Sequence, residues 1–395
     1  RKDFITDKTM ECLVDNLMKQ KEGKPSLVKS FGDCTLRTYR LALAATGEYT
    51  AFHGGTVALA LAAQNTSMNR INGVYEREMA IHMNLVANNN LIIYTNATTD
   101  PYTNNNGATM LGQNQTTCTN VIGSANYDIG HVFSTGGGGI AQLQSPCSSG
   151  NKAKGVTGSP APIGDPFDID YVAHEMGHQF GANHTFNSSN NGSCAGNSNN
   201  ATAYEPGSGT TIMAYAGICA PVNVQNNSDD YFHAISLQEI GAFITGGGHT
   251  CPVESPLSNT APSVAPVPAI SIPQGTPFFL TASATDVNPA NVLTYCWEEK
   301  DAGTSTTAPT ATQTTKANFR SFDPTTSPTR YFPSLAALAA NGPYTWEVLP
   351  TVARTMNFQV TVRDNAAGGG CNDESATTVA VIATSGPFAV TYPTA

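Results

Sequence analysis

One segment of eleven residues constrains the fold of this chain more than any other feature. The sequence HEMGHQFGANH occupies residues 174–184. On an α-helix, His174 and His178 are four residues apart, so both imidazole rings project from one face at about one-turn spacing. Two neutral imidazole nitrogens at that spacing can bind one zinc ion at roughly 2.0–2.1 Å each. The segment therefore predicts a helix that carries two metal ligands.

The other polar residues of the segment fit a third ligand and a catalytic carboxylate. Glu175 points about 100° away from His174 around the helix, so it can lie beside a zinc-bound water without being a ligand. Gly181 allows the chain to leave the helix in a left-handed conformation, which can bring His184 to the same metal. Three protein ligands and one open position are typical of a catalytic zinc site. A helix with three unrelated structural histidines explains neither Glu175 nor Gly181.

The pattern His-Glu-x-x-His-x-x-Gly-x-x-His resembles the signature of the metzincin metalloproteases. Those proteins place a methionine turn below the metal, and the segment SGTTIMAY at residues 208–215 is similar to it through Met213. The resemblance implies that Glu175 acts as general base and acid, and that Met213 supports the site without binding metal. It also implies one catalytic zinc ion with three ligands: His174, His178 and His184.

Two further segments, residues 127–133 and 212–219, resemble the reprolysin-like (adamalysin) branch in its bacterial form. This resemblance covers roughly residues 35–250. Animal reprolysins have aspartate after the third histidine, whereas Thr185 stands here, and the sequence His-Thr-Phe is similar to the pappalysins. Astacins and serralysins have a tyrosine two residues after the methionine. The resemblance therefore implies that Tyr215 binds zinc or hydrogen-bonds the oxyanion.

The glycine-rich segment GGGGIAQL at residues 136–143 does not fit a phosphate-binding loop, because no Lys-Ser/Thr pair and no helix follow it. We predict an edge strand above the cleft. An extended substrate could pair with its free backbone groups. The predicted substrate-binding residues are Gly139, Ile140 and Ala141.

The order of the predicted elements indicates two fold types in one chain. An α+β metzincin catalytic domain, with a mixed twisted sheet and the zinc helix at residues 165–183, precedes an all-β sandwich of immunoglobulin or fibronectin type. Before the zinc helix we predict strands at 37–49, 91–96 and 128–133 and helices at 55–88 and 108–123; a last helix follows at 228–243. The predicted domains are an N-terminal arm or propeptide remnant at 1–33, the catalytic domain at 34–252, a Pro-rich linker at 253–273 and the sandwich at 274–395.

Nine cysteines without a Cys-x-x-Cys spacing indicate disulfides and an oxidising, secreted setting rather than a structural zinc site. We predict the pairs Cys194–Cys219 and Cys296–Cys371, and the family resemblance implies Cys147–Cys251. An odd set remains: Cys12, Cys34 and Cys118. Either Cys12 or Cys34 could hold the zinc in a latent form, although a disulfide explains them more simply. Calcium is a further candidate ion, but no clear motif supports it.

Only 12% of the residues are charged, and the formal net charge is −10. This charge argues against nucleic acid or an anionic membrane as the main partner. No run of 18 apolar residues predicts a membrane span. Because the chain opens on Arg1 without a signal peptide, we expect a mature or trimmed form.

These observations support two function hypotheses. The first is a secreted zinc-dependent endopeptidase that hydrolyses protein or peptide substrates. The alternative is a catalytically inactive zinc-containing adhesin or surface-binding protein that acts through its sandwich. As a separate hypothesis, the sandwich of an active enzyme could bind a surface, matrix or glycan. Glu175 favours the peptidase, since a degenerate copy would most often lose that carboxylate. We expect His82, His131 and His233 to be structural.

Overall fold

The computed structural model describes residues 33–342 and 344–388. Except for Asp33, the predicted N-terminal arm at 1–33 lies outside these residues, and so does Cys12. Within the described residues, no helix has the length and apolar character needed to cross a bilayer.

A mixed sheet forms the centre of the first half of the chain. Strands β1 (Thr35–Ala45), β2 (Ile81–Leu85), β3 (Ile129–Ser134) and β5 (Gly155–Gly158) are parallel, in the order β2-β1-β3-β5. Strand β4 (Gly139–Ala141) pairs antiparallel with β5 at the end of the sheet. Strand β6 (Val253–Pro256) returns to pair antiparallel with the start of β1.

Helices cover both faces of this sheet. On one face, Tyr39, Leu41 and Leu43 of β1 pack with helix α2 (Val57–Met79), the zinc-helix segment at 165–179 and helix α6 (Ala234–Ile244). On the other face, Ala42 and Ala44 pack with helix α3 (Gly107–Thr117). Alternate side chains of a strand point to opposite faces, which explains this division. The arrangement fits the metzincin-like catalytic domain that the resemblance implied.

The predicted elements of this half need several corrections. The strand predicted at 37–49 ends at Ala45, and a short helix, α1 (Gly47–Phe52), follows it. The zinc helix predicted at 165–183 ends at Gln179, and the last helix, predicted at 228–243, begins at Ala234.

The helix predicted at 55–88 ends at Met79, because Ala80 adopts a left-handed conformation (φ 50°) and β2 follows. Residues 91–96 are not a strand: a short 3-10 helix, Asn89–Ile92, precedes a single bridge from Ile93. The Asn89 side chain accepts a hydrogen bond from the Leu43 N–H at 2.8 Å and donates one to the Leu43 C=O at 2.9 Å. These two bonds take the place of the backbone hydrogen bonds that a neighbouring strand would make to Leu43. Strand β5 was not predicted.

The second half contains a four-stranded sheet with the order β11-β13-β14-β8. Its strands are β8 (Ile270–Pro273), β11 (Thr294–Glu299), β13 (Arg354–Arg363) and β14 (Asn372–Ile382). Two short antiparallel pairs accompany it: β7 (Ser263–Val264) with β10 (Ala284–Thr285), and β9 (Phe278–Thr281) with β12 (Thr329–Phe332). Phe278 and Phe332 pack on Phe358 of the larger sheet. The immunoglobulin-type sandwich and the domain boundaries stay predictions, and strands β6, β7 and β8 occupy the range predicted as linker.

Three disulfides link six of the eight described cysteines, and Cys118 and Cys296 are buried free thiols. The bridges Cys194–Cys219 and Cys147–Cys251 confirm two predicted pairs. The prediction of Cys296–Cys371 is wrong, because Cys371 is bonded to Cys34. Cys296 lies on β11 and Cys371 directly precedes β14, on the opposite side of β13. Two strand spacings, about 10 Å, exceed the Cα separation that a disulfide allows.

Candidate metal centre

A continuous helical segment at residues 165–179 carries the first two histidines. It begins with a turn of α-helix, α4 (Asp165–Phe167), continues as a π-helix (Asp168–Ala173) and ends as α5 (His174–Gln179). Gly181 then turns the chain with φ +103°, a conformation that side chains with a Cβ rarely adopt. This turn brings His184 back to the end of the helix, as the sequence predicted.

The three imidazole rings converge on one point. The Nε2 atoms of His174, His178 and His184 are 3.0, 3.1 and 3.2 Å from one another, and all three side chains are buried. Ligand atoms bound to one zinc ion at 2.0–2.1 Å with tetrahedral angles are about 3.3–3.4 Å apart. Within the ranges that the structure describes, this is the one group of three or more potential ligand side chains close enough to share a metal ion.

Backbone carbonyls determine which ring nitrogen faces the shared point. The Nδ1 atom of His174 lies 2.7 Å from the Ile212 carbonyl oxygen, and that of His178 lies 2.7 Å from the Ala182 oxygen. The Nδ1 atom of His184 lies 2.6 Å from the carbonyl oxygen of Asn197. Because a carbonyl oxygen only accepts, each Nδ1 carries the proton and each Nε2 presents a lone pair. Three converging lone pairs cannot bond one another, whereas a cation between them satisfies all three.

Burial keeps these rings neutral. It lowers the pKa of His174 to about 4, and it lowers the pKa values of His178 and His184 well below their usual range. Neighbouring imidazoles add to the lowering for His178 and His184. A neutral imidazole is the form that binds zinc, so the donor set fits a zinc ion at neutral pH.

Glu175 lies beside the histidines and is fully buried. Its carboxylate lies against the backbone of Gly139 on β4: a β-carbon at residue 139 would overlap Oε1 and lie 2.7 Å from Cδ. The edge position of β4 agrees with the predicted edge strand. Gly139, Ile140 and Ala141 therefore run next to the carboxylate that the sequence singled out, although all three are buried.

Met213 lies under the helix, as the methionine turn predicted. A β-carbon on Gly177 would overlap its Sδ atom, and Met213 belongs to the same buried cluster as Met176. Its carbonyl oxygen accepts a hydrogen bond of 3.1 Å from the N–H of Thr185. Met213 thus connects the zinc helix with the chain that follows the third histidine.

Tyr215 packs directly on the histidines. Its ring centroid is 4.6 Å from that of His184 and 5.5 Å from that of His174, and the ring of Phe186 covers it at 4.4 Å. A small groove begins beside His174 and Glu175 at this point. Its other lining residues are Asp170, Tyr171, Ala214, Tyr215, Ala216, Ile218 and Ser228.

Glu205, which no sequence motif indicated, supplies a carboxylate beside Thr185. Its oxygens accept hydrogen bonds from the Thr185 hydroxyl at 2.6 Å and from the Thr210 N–H at 2.7 Å. The N–H and hydroxyl of Thr211 also donate to it. Glu205 therefore ties the residue after the third histidine to the residues that precede Met213. The only sequence feature that could have indicated it is Thr185, which stands where animal reprolysins have an aspartate after the third histidine.

The other histidines lie outside the metal cluster. His131 is buried between Gln179 and the Thr157 hydroxyl, at 2.8 Å from each. His82 contacts Glu76 on α2. His233 caps helix α6 by accepting from the N–H of Ile235. These contacts give each ring a structural role.

A comparison of the sequence with protein families gives a match over the part of the chain that contains this site. The profile of the family described as metallo-peptidase family M12B, reprolysin-like, matches residues 35–242, which include all three histidines, Glu175 and Met213. A search of curated proteins found no match. The matched span is more than half of the 395 residues, and the family is one of zinc metalloproteases. The chain belongs to the reprolysin-like family M12B of metallopeptidases.

Proposed function

We propose that this chain is a secreted zinc-dependent endopeptidase, with Glu175 as general base and acid. The observation that carries the proposal is the convergence of three Nε2 lone pairs beside a buried carboxylate. Three disulfides support an extracellular location, because such bonds persist in oxidising compartments.

His174, His178 and His184 would hold the zinc ion. Lewis acidity is the chemistry that zinc supplies when bound: it lowers the pKa of a water ligand to about 7 and polarises a carbonyl group. The three carbonyls behind the rings hold each Nε2 in place, so the open side of the site is determined by the protein.

Glu175 would accept the proton of the attacking water and donate it to the leaving amine. The carboxylate can lie next to β4 because Gly139 has no side chain to occupy that space. A substrate strand pairing with Gly139, Ile140 and Ala141 would therefore pass the carboxylate at close range. Tyr215 would donate a hydrogen bond to the oxyanion that forms on the carbonyl.

The test compares the wild type with Glu175→Gln on casein. We expect cleavage that 1,10-phenanthroline abolishes and added zinc restores. Glu175→Gln should retain about one zinc ion per chain and lose activity by a factor on the order of 10²–10⁴, the usual contribution of a general base. Glu254→Gln, a carboxylate on the exposed strand β6, is the matched control and should keep full activity.

The outcome also separates the two function hypotheses. A wild-type protein that binds zinc but cleaves neither casein nor a peptide library would contradict the peptidase proposal. It would favour the inactive adhesin.

A further inference from the structure

The C-terminal sheet is attached to the metallopeptidase half through buried polar contacts, which an independent accessory domain would not need. The Cys34–Cys371 disulfide connects the start of β1 to the residue before β14. The N–H of Gly370 donates to the Glu76 carbonyl at 2.8 Å, and the Asn372 side chain donates to the Glu78 carbonyl at 2.9 Å. In the metallopeptidase half, Cys34 directly precedes β1, and Glu76 and Glu78 lie on α2.

At the centre of this contact, Arg363 on β13 pairs with Glu78 near the end of α2. Nε of Arg363 lies 2.9 and 3.0 Å from the two carboxylate oxygens, and Nη2 lies 2.7 Å from Oε2. Both side chains are buried. A buried ion pair of this kind is weak evidence for added stability, since desolvation offsets much of the attraction. The role of this pair follows from the backbone groups that it binds.

The pair binds both backbone polar groups of Phe232. The Phe232 N–H donates to Oε2 of Glu78 at 3.3 Å, and the Phe232 carbonyl accepts from Nη2 of Arg363 at 2.9 Å. Neighbouring residues also bond to the C-terminal half of the chain: the Tyr231 hydroxyl donates to the Ser321 hydroxyl at 2.6 Å, and the Ala234 N–H donates to Glu298 on β11 at 2.8 Å.

This held segment supports the metal centre. The Phe232 ring lies against the zinc helix, since a β-carbon on Gly177 would be 3.3 Å from its Cε1 atom. The carbonyl of Tyr231 accepts from the N–H of Ile212 at 3.1 Å. The carbonyl of Ile212 is in turn the acceptor for Nδ1 of His174, at 2.7 Å.

We propose that Arg363 is a positioning residue for the metal centre: with Glu78 it clamps the backbone N–H and C=O of Phe232, through which the C-terminal sheet sets the position of Met213 and His174. This inference rests on the proposed function, because the centre it positions is the one that would hold zinc. It makes the C-terminal sheet part of the peptidase itself. Residues behind a metal ligand commonly change metal affinity or activity by about 10–100-fold when they are altered.

The test uses the full chain and three variants. Arg363→Met removes the clamp. Arg363→Lys keeps a cation beside Glu78, but a single ammonium does not reproduce the planar fork that reaches both the carboxylate and the Phe232 carbonyl. Arg354→Met is the matched control: Arg354 lies on the same strand with an equally buried side chain, but its partners Glu299 and Asp301 belong to the C-terminal region.

Four quantities are measured well below each melting temperature: the zinc Kd by chelator competition, the visible spectrum of the cobalt-substituted protein, kcat and KM. For Arg363→Met we expect the zinc Kd to rise and kcat to fall by about tenfold or more, with altered cobalt bands and KM within about twofold. Arg363→Lys should change in the same direction by a smaller factor. Arg354→Met should lower the melting temperature and leave all four quantities at wild-type values.

The proposal is overturned when Arg363→Met matches Arg354→Met in zinc Kd, cobalt spectrum and kcat. If Arg363→Met does not fold, wild-type values for Arg363→Lys overturn it equally. A wild type that binds cobalt at the three histidines but cleaves nothing contradicts the proposed function alone, because the spectrum and the zinc Kd still report on the clamp.

Discussion

Gly139 and Glu175 are in direct contact across the cleft edge, with the glycine Cα facing the carboxylate. A β-carbon at residue 139 would overlap Oε1 of Glu175 and lie 2.7 Å from its Cδ. The edge strand thus needs glycine at this position, because any larger residue occupies the volume of the carboxylate that we propose as general base.

Gly139→Ala should therefore displace Glu175 without touching the zinc ligands. We expect kcat/KM to fall by about 10²-fold, the effect of a misplacement near 1 Å, while zinc content stays at the wild-type level. Gly112→Ala is the matched control, because a β-carbon at this α3 position meets no atom within 4 Å. Full activity in Gly139→Ala would show that the carboxylate is not held by this contact.

Tyr215→Phe removes one hydroxyl and keeps the ring that packs on His184 and Phe186. If the hydroxyl stabilises the oxyanion, kcat should fall by about 10²-fold with little change in KM. Steady-state kinetics on a fluorogenic peptide measures both constants, with Tyr94→Phe as a control for the substitution itself. Unchanged kcat would assign Tyr215 to packing alone.

Asp168 gives a pH dependence to stability. Burial raises its pKa to about 6, and its Oδ1 atom has no hydrogen-bond partner within the described residues. An unfolded aspartate titrates near 3.9, so the folded protein binds more protons than the unfolded one between about pH 4 and pH 6. The free energy of unfolding should therefore decrease as the pH rises through that range.

Asp168→Asn should remove this decrease in the free energy of unfolding, because asparagine does not ionise. At pH 8 it should raise the free energy of unfolding by about 1–2 kcal/mol, and the gain should vanish by about pH 4. Urea unfolding of the zinc-free protein at both pH values measures the difference. Asp165→Asn, three residues earlier and mostly exposed beside Arg70, should show no such gain. Equal gains at both pH values would contradict the assignment.

The Cys34–Cys371 bridge closes a loop with a sequence separation of 337 residues. We expect a non-reducing peptide map to recover these two cysteines in one linked fragment. The double variant Cys34→Ala/Cys371→Ala should lose about 2–5 kcal/mol of the free energy of unfolding. Cys296→Ala should leave the peptide map unchanged, and a linked Cys296–Cys371 fragment would contradict the structure.

Local spacing was enough to predict that three histidines converge at the end of one helical segment. His174 and His178 are one helical turn apart wherever the helix lies, and Gly181 provides the turn that returns His184. The strand predicted at 128–133 matches β3 to within one residue at each end, and the helix predicted at 108–123 matches α3 together with the π-helix Cys118–Gly123 that continues it. Their side-chain patterns repeat within one element. The bridges Cys194–Cys219 and Cys147–Cys251 were also predicted.

Contacts between distant parts of the chain decided the rest. Asn89 replaces a predicted strand because it reaches Leu43 across the fold, and Cys371 pairs with Cys34 because β13 separates it from Cys296. The periodicity of apolar residues shows which side chains share one face of a helix or strand. It does not show which other element of the fold packs against that face. The sequence alone therefore predicted the three histidines that converge and the helix that carries the first two of them. The tertiary structure decided what holds that helix in place, from Glu205 to the Glu78–Arg363 pair, because such partners are brought together only by folding.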